Sequence, residues 1–139
     1  MAEFKLKIVT PEKTIFTDVV TQVSVSTTTG QITILPNHIP LVSQLSPGEI
    51  VINHNGNQED LMAVSGGFIE VLPDEVIVLA DTAERAEDID EERAEEARKN
   101  AEELLKTKVQ DAQQFAMFTA MVEKELARLR VARKYKKKG

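Results

Sequence analysis

No cysteine occurs among the 139 residues, which removes disulfide staples, thiolate metal ligands and cysteine nucleophiles from consideration. Tryptophan is also absent, and aromatics make up 4% of the chain, too few to build stacking platforms for single-stranded nucleic acid. His38 and His54 are the sole imidazoles, so a multi-histidine metal centre is close to excluded and no metal is expected. No apolar run approaches the roughly 18 residues of a membrane-spanning helix. Met1-Ala2-Glu3-Phe4-Lys5 lacks the charged-then-apolar layout of a signal peptide. The chain reads as soluble and intracellular, with any membrane association made through a partner.

Positive charge is scarce until the far end. Residues 1–83 hold 3 basic and 10 acidic side chains, and residues 84–103 hold 4 basic and 10 acidic. Residues 123–139 reverse the sign, with 8 basic and 2 acidic. The net charge of -6 argues against nucleic acid as the main partner, and the far end is a cationic tip on an acidic protein.

Proline and glycine are missing from Asp74 to Lys138, whereas all five prolines and five of six glycines lie at or before residue 73. Such punctuation belongs to many short strands, and its absence permits long helices. The first half alternates accordingly. Phe4, Leu6 and Ile8 share a face, Val19, Val23 and Val25 alternate less strictly, and Ile32 pairs with Ile34. Ile50 and Ile52 follow Pro47-Gly48, Asn55-Gly56 signals a hairpin before Glu59–Val64, and Gly66-Gly67 predicts a tight turn with positive φ before Phe68–Leu72. The fold class expected is an all-β sandwich of about ten strands over residues 1–83, then an antiparallel α-helical hairpin over residues 84–139.

The hairpin is read from a change of period. Ala94, Ala97, Ala101 and Leu104 step by three and four, with Asp88 or Asp90 as cap. After a break near Thr107–Asp111, Phe115, Phe118, Val122, Leu126 and Leu129 form a second stripe. An alanine-rich seam buries little area, so the pair needs the sandwich or a partner for stability.

Several segments together resemble one family. They are Ile8-Val9-Thr10-Pro11, the run from Gly30 to Leu41, Val64-Ser65-Gly66-Gly67-Phe68-Ile69-Glu70-Val71, Val78-Leu79-Ala80-Asp81-Thr82-Ala83, Ile89-Asp90-Glu91-Glu92-Arg93-Ala94 and Leu129-Arg130-Val131. In order and spacing the chain resembles the epsilon subunit of bacterial F-type ATP synthase, the delta subunit of mitochondria. The resemblance implies a non-catalytic central-stalk rotor subunit that couples proton flow to ATP synthesis. Its partners would be the gamma subunit, the c-subunit ring and the alpha/beta catalytic head, at the cytoplasmic face of the bacterial membrane.

The resemblance also assigns residues. Gln31, Pro36, Asn37, His38 and Pro40 would face the c ring. Polar and apolar contacts would carry that docking, since Gln31 and Thr33 stand where the family often has an acidic residue and a glycine. Glu84, Ile89, Asp90, Arg93 and Ala94 match positions with which some relatives bind ATP, which supplies the alternative function of a nucleotide-sensing module. A capped helix start with an exposed arginine explains the same letters. Asn100, Leu104 and Ala116 stand where nucleotide-binding relatives carry further basic residues, so the resemblance implies at most weak MgATP as a regulatory ligand. Lys124, Arg128, Arg130, Arg133 and Lys134 would form a basic helix that extends to the catalytic head and inhibits ATP hydrolysis.

Overall fold

The computed structural model describes residues 2–55 and 58–138, apart from the side chain of Lys138. Nine strands come first: β1 (Phe4–Val9), β2 (Thr14–Val20), β3 (Gln22–Thr27), β4 (Gly30–Ile34), β5 (Leu41–Asn53), β6 (Glu59–Val64), β7 (Gly67–Val71), β8 (Glu75–Ala80) and β9 (Ala83–Arg85). A 3-10 turn, Ala86–Asp88, leads into helices α1 (Glu91–Thr107) and α2 (Ala112–Lys138).

The pairings make two layers joined by one strand. β2, β1, β8 and β7 continue into the first half of β5, and β1 with β8 is the parallel pair. β4 and β3 flank the second half of β5, whose other edge carries β6 and then β9. Pro47-Gly48 therefore does not end a strand. β5 runs through it for 13 residues, and its two halves counted apart give the ten strands expected. Gly48 permits the crossing, because a Cβ there would meet the Ser26 side chain at 2.8 Å. The β3 ladder shifts register opposite, between Val25 and Thr27.

Both layers turn their alternate residues inward. Leu6, Ile8, Ile69 and Val78 from one layer meet Val23, Val25, Ile50 and Ile52 from the other, all at or near zero exposure. Val19 departs from the expected pattern. It is exposed and Val20 is buried instead, because the bend at Thr21 between β2 and β3 resets the alternation. Gly66 and Gly67 have φ of 136° and 128°, as predicted, but they form a corner between layers rather than a hairpin, since β6 and β7 both pair with β5. Of the Asn55-Gly56 turn, Gly56 lies outside the described residues. The hairpin itself closes with Asn53 opposite Glu59.

Asp90 caps α1, accepting from the Arg93 backbone N–H at 3.1 Å, with Glu91 and Glu92 in the first turn. α2 runs back antiparallel, so that Arg133 and Lys136 near its end reach Glu91 at the start of α1. Its 27 residues span about 40 Å and carry the helix to Lys138. α2 has two buried faces, not one. Phe118, Leu129 and Ala132 belong to the face towards α1, and Ala127 and Val131 to the face towards the sandwich. Phe115 and Leu126, expected in the seam, are exposed. The expected stripe was centred too far round the helix, so it took in Phe115 and Leu126 on its outer flank and missed Ala127 and Val131 on the opposite side.

Candidate functional site

Strand β8 is apolar on both sides from Val76 onward, β7 carries Phe68 and Glu70 on its outer side, and only the inner side has the core to cover it. Phe68 stands directly opposite Leu79 across the β7–β8 ladder. Val42 lies on the neighbouring strand, opposite Glu70, and Phe68, Leu79 and Val42 are 51%, 49% and 65% exposed. Continuous apolar strands normally signal burial on both faces. Here the outer face of β8, β7 and β5 carries an uncovered apolar band, the usual mark of a protein contact surface.

The loop after β4 presents a second such feature. Asn37 takes a left-handed φ of 65°, the His38 backbone N–H donates to the Leu35 carbonyl at 3.2 Å, and His38 Nδ1 lies 2.7 Å from the Ile39 carbonyl oxygen. Pro36 and Pro40 bracket this rigid turn, and Gln31 sits exposed on the adjacent β4. The turn pushes Leu35 and Ile39 outward, Ile39 to 75% exposure. Sequence reasoning selected the polar and proline residues of this loop and passed over its apolar ones. The other histidine, His54, sits at the end of β5, with Nε2 2.8 Å from Asp60 and Nδ1 3.8 Å from Asp18.

The helical pair meets the sandwich on β6. Leu61 to Val64 are all buried. Met62 and Val64 enter the main core, while Leu61 and Ala63 pack with Ala86 and Val131 beneath α2. That loss of alternation in Leu61-Met62-Ala63-Val64 was a readable signal of a strand covered on both faces. Arg128 fixes the same joint. Its guanidinium donates to Glu84 on β9 at 2.8 and 3.3 Å and to Glu125 at 2.7 Å. Burial works against the Arg128 charge, but these carboxylates outweigh it and hold its pKa above the ordinary arginine value. Ala63, Ser65, Thr82, Glu84, Lys124 and Arg128 line a crease of about 360 Å³ beside this contact.

The tip of α2 is held by three more carboxylates. Arg133 lies 3.3 Å from Glu91 and 3.6 Å from Glu95, Lys136 lies 3.0 Å from Glu91, and Lys134 lies 3.4 Å from Glu49 on β5. Hydrogen bonds from Lys136 and then Arg133 pull the Glu91 carboxyl below its usual range. Arg98, bonded to Glu95 and Glu102 on its own helix, is the main cause of the same shift at Glu95. Arg130 is exposed and forms no ion pair among the described residues.

Of the five residues matched to nucleotide binding, Asp90 and Arg93 meet at the start of α1, while the side chains of Glu84, Ile89 and Ala94 are taken up by other contacts. Glu84 is engaged with Arg128, Ile89 packs under α2, Ala94 is fully buried in the helix seam, and Asp90 is occupied as the cap. The Arg93 side chain is 84% exposed, with Asp90 3.8 Å from its Nε. No helix among the described residues is long and apolar enough to cross a membrane.

Comparison with known proteins covers both parts of the chain. The family model described as the ATP synthase Delta/Epsilon chain beta-sandwich domain matches residues 3–86, and that for the Delta/Epsilon long alpha-helix domain matches residues 87–133. The ATP synthase epsilon chain of Chloroflexus aggregans is 49% identical over 131 residues, which cover 94% of this chain and 93% of that one. That of Chromohalobacter salexigens is 40% identical over 139 residues, covering 100% and 98%. A chain in the cryo-EM structure of the Euglena gracilis mitochondrial ATP synthase superposes with a TM-score of 0.79 at 23% identity, over 91% of this chain and 79% of that one. At that identity the likeness speaks for the fold.

Proposed function

The chain belongs to the family of ATP synthase delta/epsilon chains, and from that premise we propose how it acts as the non-catalytic epsilon subunit in the central stalk of an F-type enzyme. The sandwich docks on the gamma subunit and on the ring of c subunits, at the cytoplasmic face of the membrane and without entering it. The observation that carries this is the uncovered apolar band of Val42, Phe68 and Leu79, together with Leu35 and Ile39 on the rigid Pro36–Pro40 loop. A rotor part needs stiff contacts, and both features sit on strands or on a turn locked by its own hydrogen bonds. The band suits gamma, and the loop with Gln31 suits the c ring.

The test is Phe68→Glu with Leu79→Glu. Each charge points to solvent in the free protein, so the sandwich should keep its circular dichroism and its thermal midpoint. Binding to gamma should fall by a hundredfold or more, because the charges would be buried unpaired on docking. Undiminished binding by the folded double variant would move the gamma contact elsewhere.

The hairpin regulates hydrolysis when it leaves the sandwich and its basic face, Lys124 to Lys138, meets an acidic surface of the catalytic head. Support comes from the small, alanine-lined joint and from cations that lie on the docked helix within reach of water. Deleting residues 123–139 should relieve inhibition of ATP hydrolysis in the reconstituted enzyme and leave coupled synthesis largely intact. Unchanged hydrolysis would confine the subunit's role to the sandwich. Nucleotide sensing is the lesser reading. Asp90 and Glu84 are already engaged, and Arg93 projects into solvent beside Asp90. MgATP should bind weakly by calorimetry, whereas low-micromolar affinity abolished by Arg93→Ala would restore the sensing role.

A further inference from the structure

Three carboxylates hold the cationic tip of α2, and they come from two separate elements. Glu49 lies on β5, and Glu91 and Glu95 lie in the first turns of α1. Their side chains are 24–30% exposed, while their partners Lys134, Arg133 and Lys136 are 42%, 58% and 70% exposed. The acids are thus fixed by their surroundings, and long flexible cations reach onto them. Two further cations, Arg130 and Lys137, form no ion pair among the described residues. Together with Leu126 they border an open groove of about 480 Å³ that Glu49 also lines.

We propose that Glu49, Glu91 and Glu95 act as an internal acidic decoy, occupying the α2 cations in the docked state so that an acidic partner surface must compete with the chain's own carboxylates to draw the helix out. The proposal rests on the inhibitory reading of the hairpin and adds the element that sets its threshold. Arg130 and Lys137 serve as first contacts for the incoming acidic surface, since they need not break a pair to engage. Exchange of one set of carboxylates for another costs little net charge separation. The balance then follows the differential affinity of the two surfaces. Each internal pair is screened, with a Debye length of about 8 Å at physiological salt, so rising salt loosens the docked state by itself.

The absence of native cysteine lets two labels be placed cleanly. Thr28 and Ala120 are exposed, and Thr28→Cys with Ala120→Cys carry spin labels on the sandwich and on α2. Pulsed dipolar spectroscopy on the full chain then reads the docked and undocked populations directly. With Glu49→Gln, Glu91→Gln and Glu95→Gln together, the undocked population should rise roughly ten- to twentyfold, about twofold for each of the four screened pairs lost. Poly-L-glutamate should draw out the helix of this variant at a correspondingly lower concentration than in the native chain. A control removing the same charge elsewhere on α1, Glu92→Gln with Glu96→Gln and Glu103→Gln, should leave both measurements unchanged. Equal loosening by that control would reduce the effect to net charge and overturn the decoy, as would an unaltered distance distribution in the first variant. Hydrolysis by the reconstituted enzyme separates the two readings. Stronger inhibition by the loosened variant supports both. A loosened hairpin that is captured more readily by poly-L-glutamate without any change in hydrolysis upholds the decoy and overturns the inhibitory role.

Discussion

Val131→Ala isolates the docking of the helices from the stability of the sandwich. Val131 is fully buried, and its neighbours are Leu61 and Ala63 of β6 and Ala86 of the 3-10 turn, with Val51 and Ile89 at the margin. All of these side chains except Val51 and Ile89 are buried, and none belongs to the main core between the layers. The substitution removes two methyl groups. At about 0.8 kcal/mol for each buried carbon, the loss is about 1.6 kcal/mol, and an unfilled cavity adds a fraction more. Every 1.4 kcal/mol is tenfold in an equilibrium, so the undocked state should gain roughly fifteenfold. Native-state hydrogen exchange read by mass spectrometry resolves this by segment. Amides of α2 should exchange about fifteen times faster, and those of β1, β7 and β8 at the native rate. Leu126→Ala, on the exposed flank of the same helix, should change neither. Equal acceleration in α2 and β1 would mean that hairpin and sandwich open as one unit, and no acceleration in α2 would mean that Val131 does not hold the joint.

Gly67→Ala should cost well over 2 kcal/mol or abolish soluble expression, because a Cβ there would lie 2.0 Å from the Leu79 carbonyl oxygen and φ is 128°; a near-native urea midpoint would contradict this. Arg128→Met should lower stability by about 2 kcal/mol, since it strands the buried Glu125 carboxylate beside Glu84. Arg128→Lys should recover only part of that, having no fork to span two carboxylates; full recovery in a urea titration would refute the bidentate argument. The pH response follows from Glu91, which faces Lys136 and Arg133, and from Glu95, which faces Arg98, Lys99 and Arg133. Both carboxyls are depressed below 4.5, so their stabilisation is complete above that value and disappears as pH falls through the lowered folded values. Docking followed by label distance should therefore be flat from about pH 7 to 5 and weaken below about 4.5; a transition near pH 6.5 would place the control on histidine instead.

Much of the fold was legible because the chain's two halves use different periods. Alternation placed Leu6, Ile8, Ile50 and Ile52 inside, and the missing glycine and proline after Asp74 left room for long helices. The errors cluster where one segment serves two neighbours. α2 is covered by α1 on one side and β6 on the other, so its buried positions form two arcs; the stripe through Phe115 and Leu126 followed the flank of one arc and missed Ala127 and Val131 of the other. Pro47-Gly48 looked like a stop because local propensity sees a turn, but the strand continues through it by crossing between layers. The charged contacts were beyond reach of pattern alone. Arg128 with Glu84 and Lys134 with Glu49 join residues 44 and 85 positions apart, and only the tertiary fold defines such pairs.

The unbroken run of β5 also has a mechanical meaning. Val42, on the uncovered outer face, and Glu49, beneath the tip of α2, are seven residues apart on one strand, about 23 Å of extended backbone. Between them no loop intervenes and no hydrogen bond has to bear the load in series. A push delivered at the outer surface travels to the helix seat along covalent bonds, which neither slip nor fray. Under the proposed function, this strand would be the tie-rod between the docking face of the sandwich and the seat of the regulatory helix.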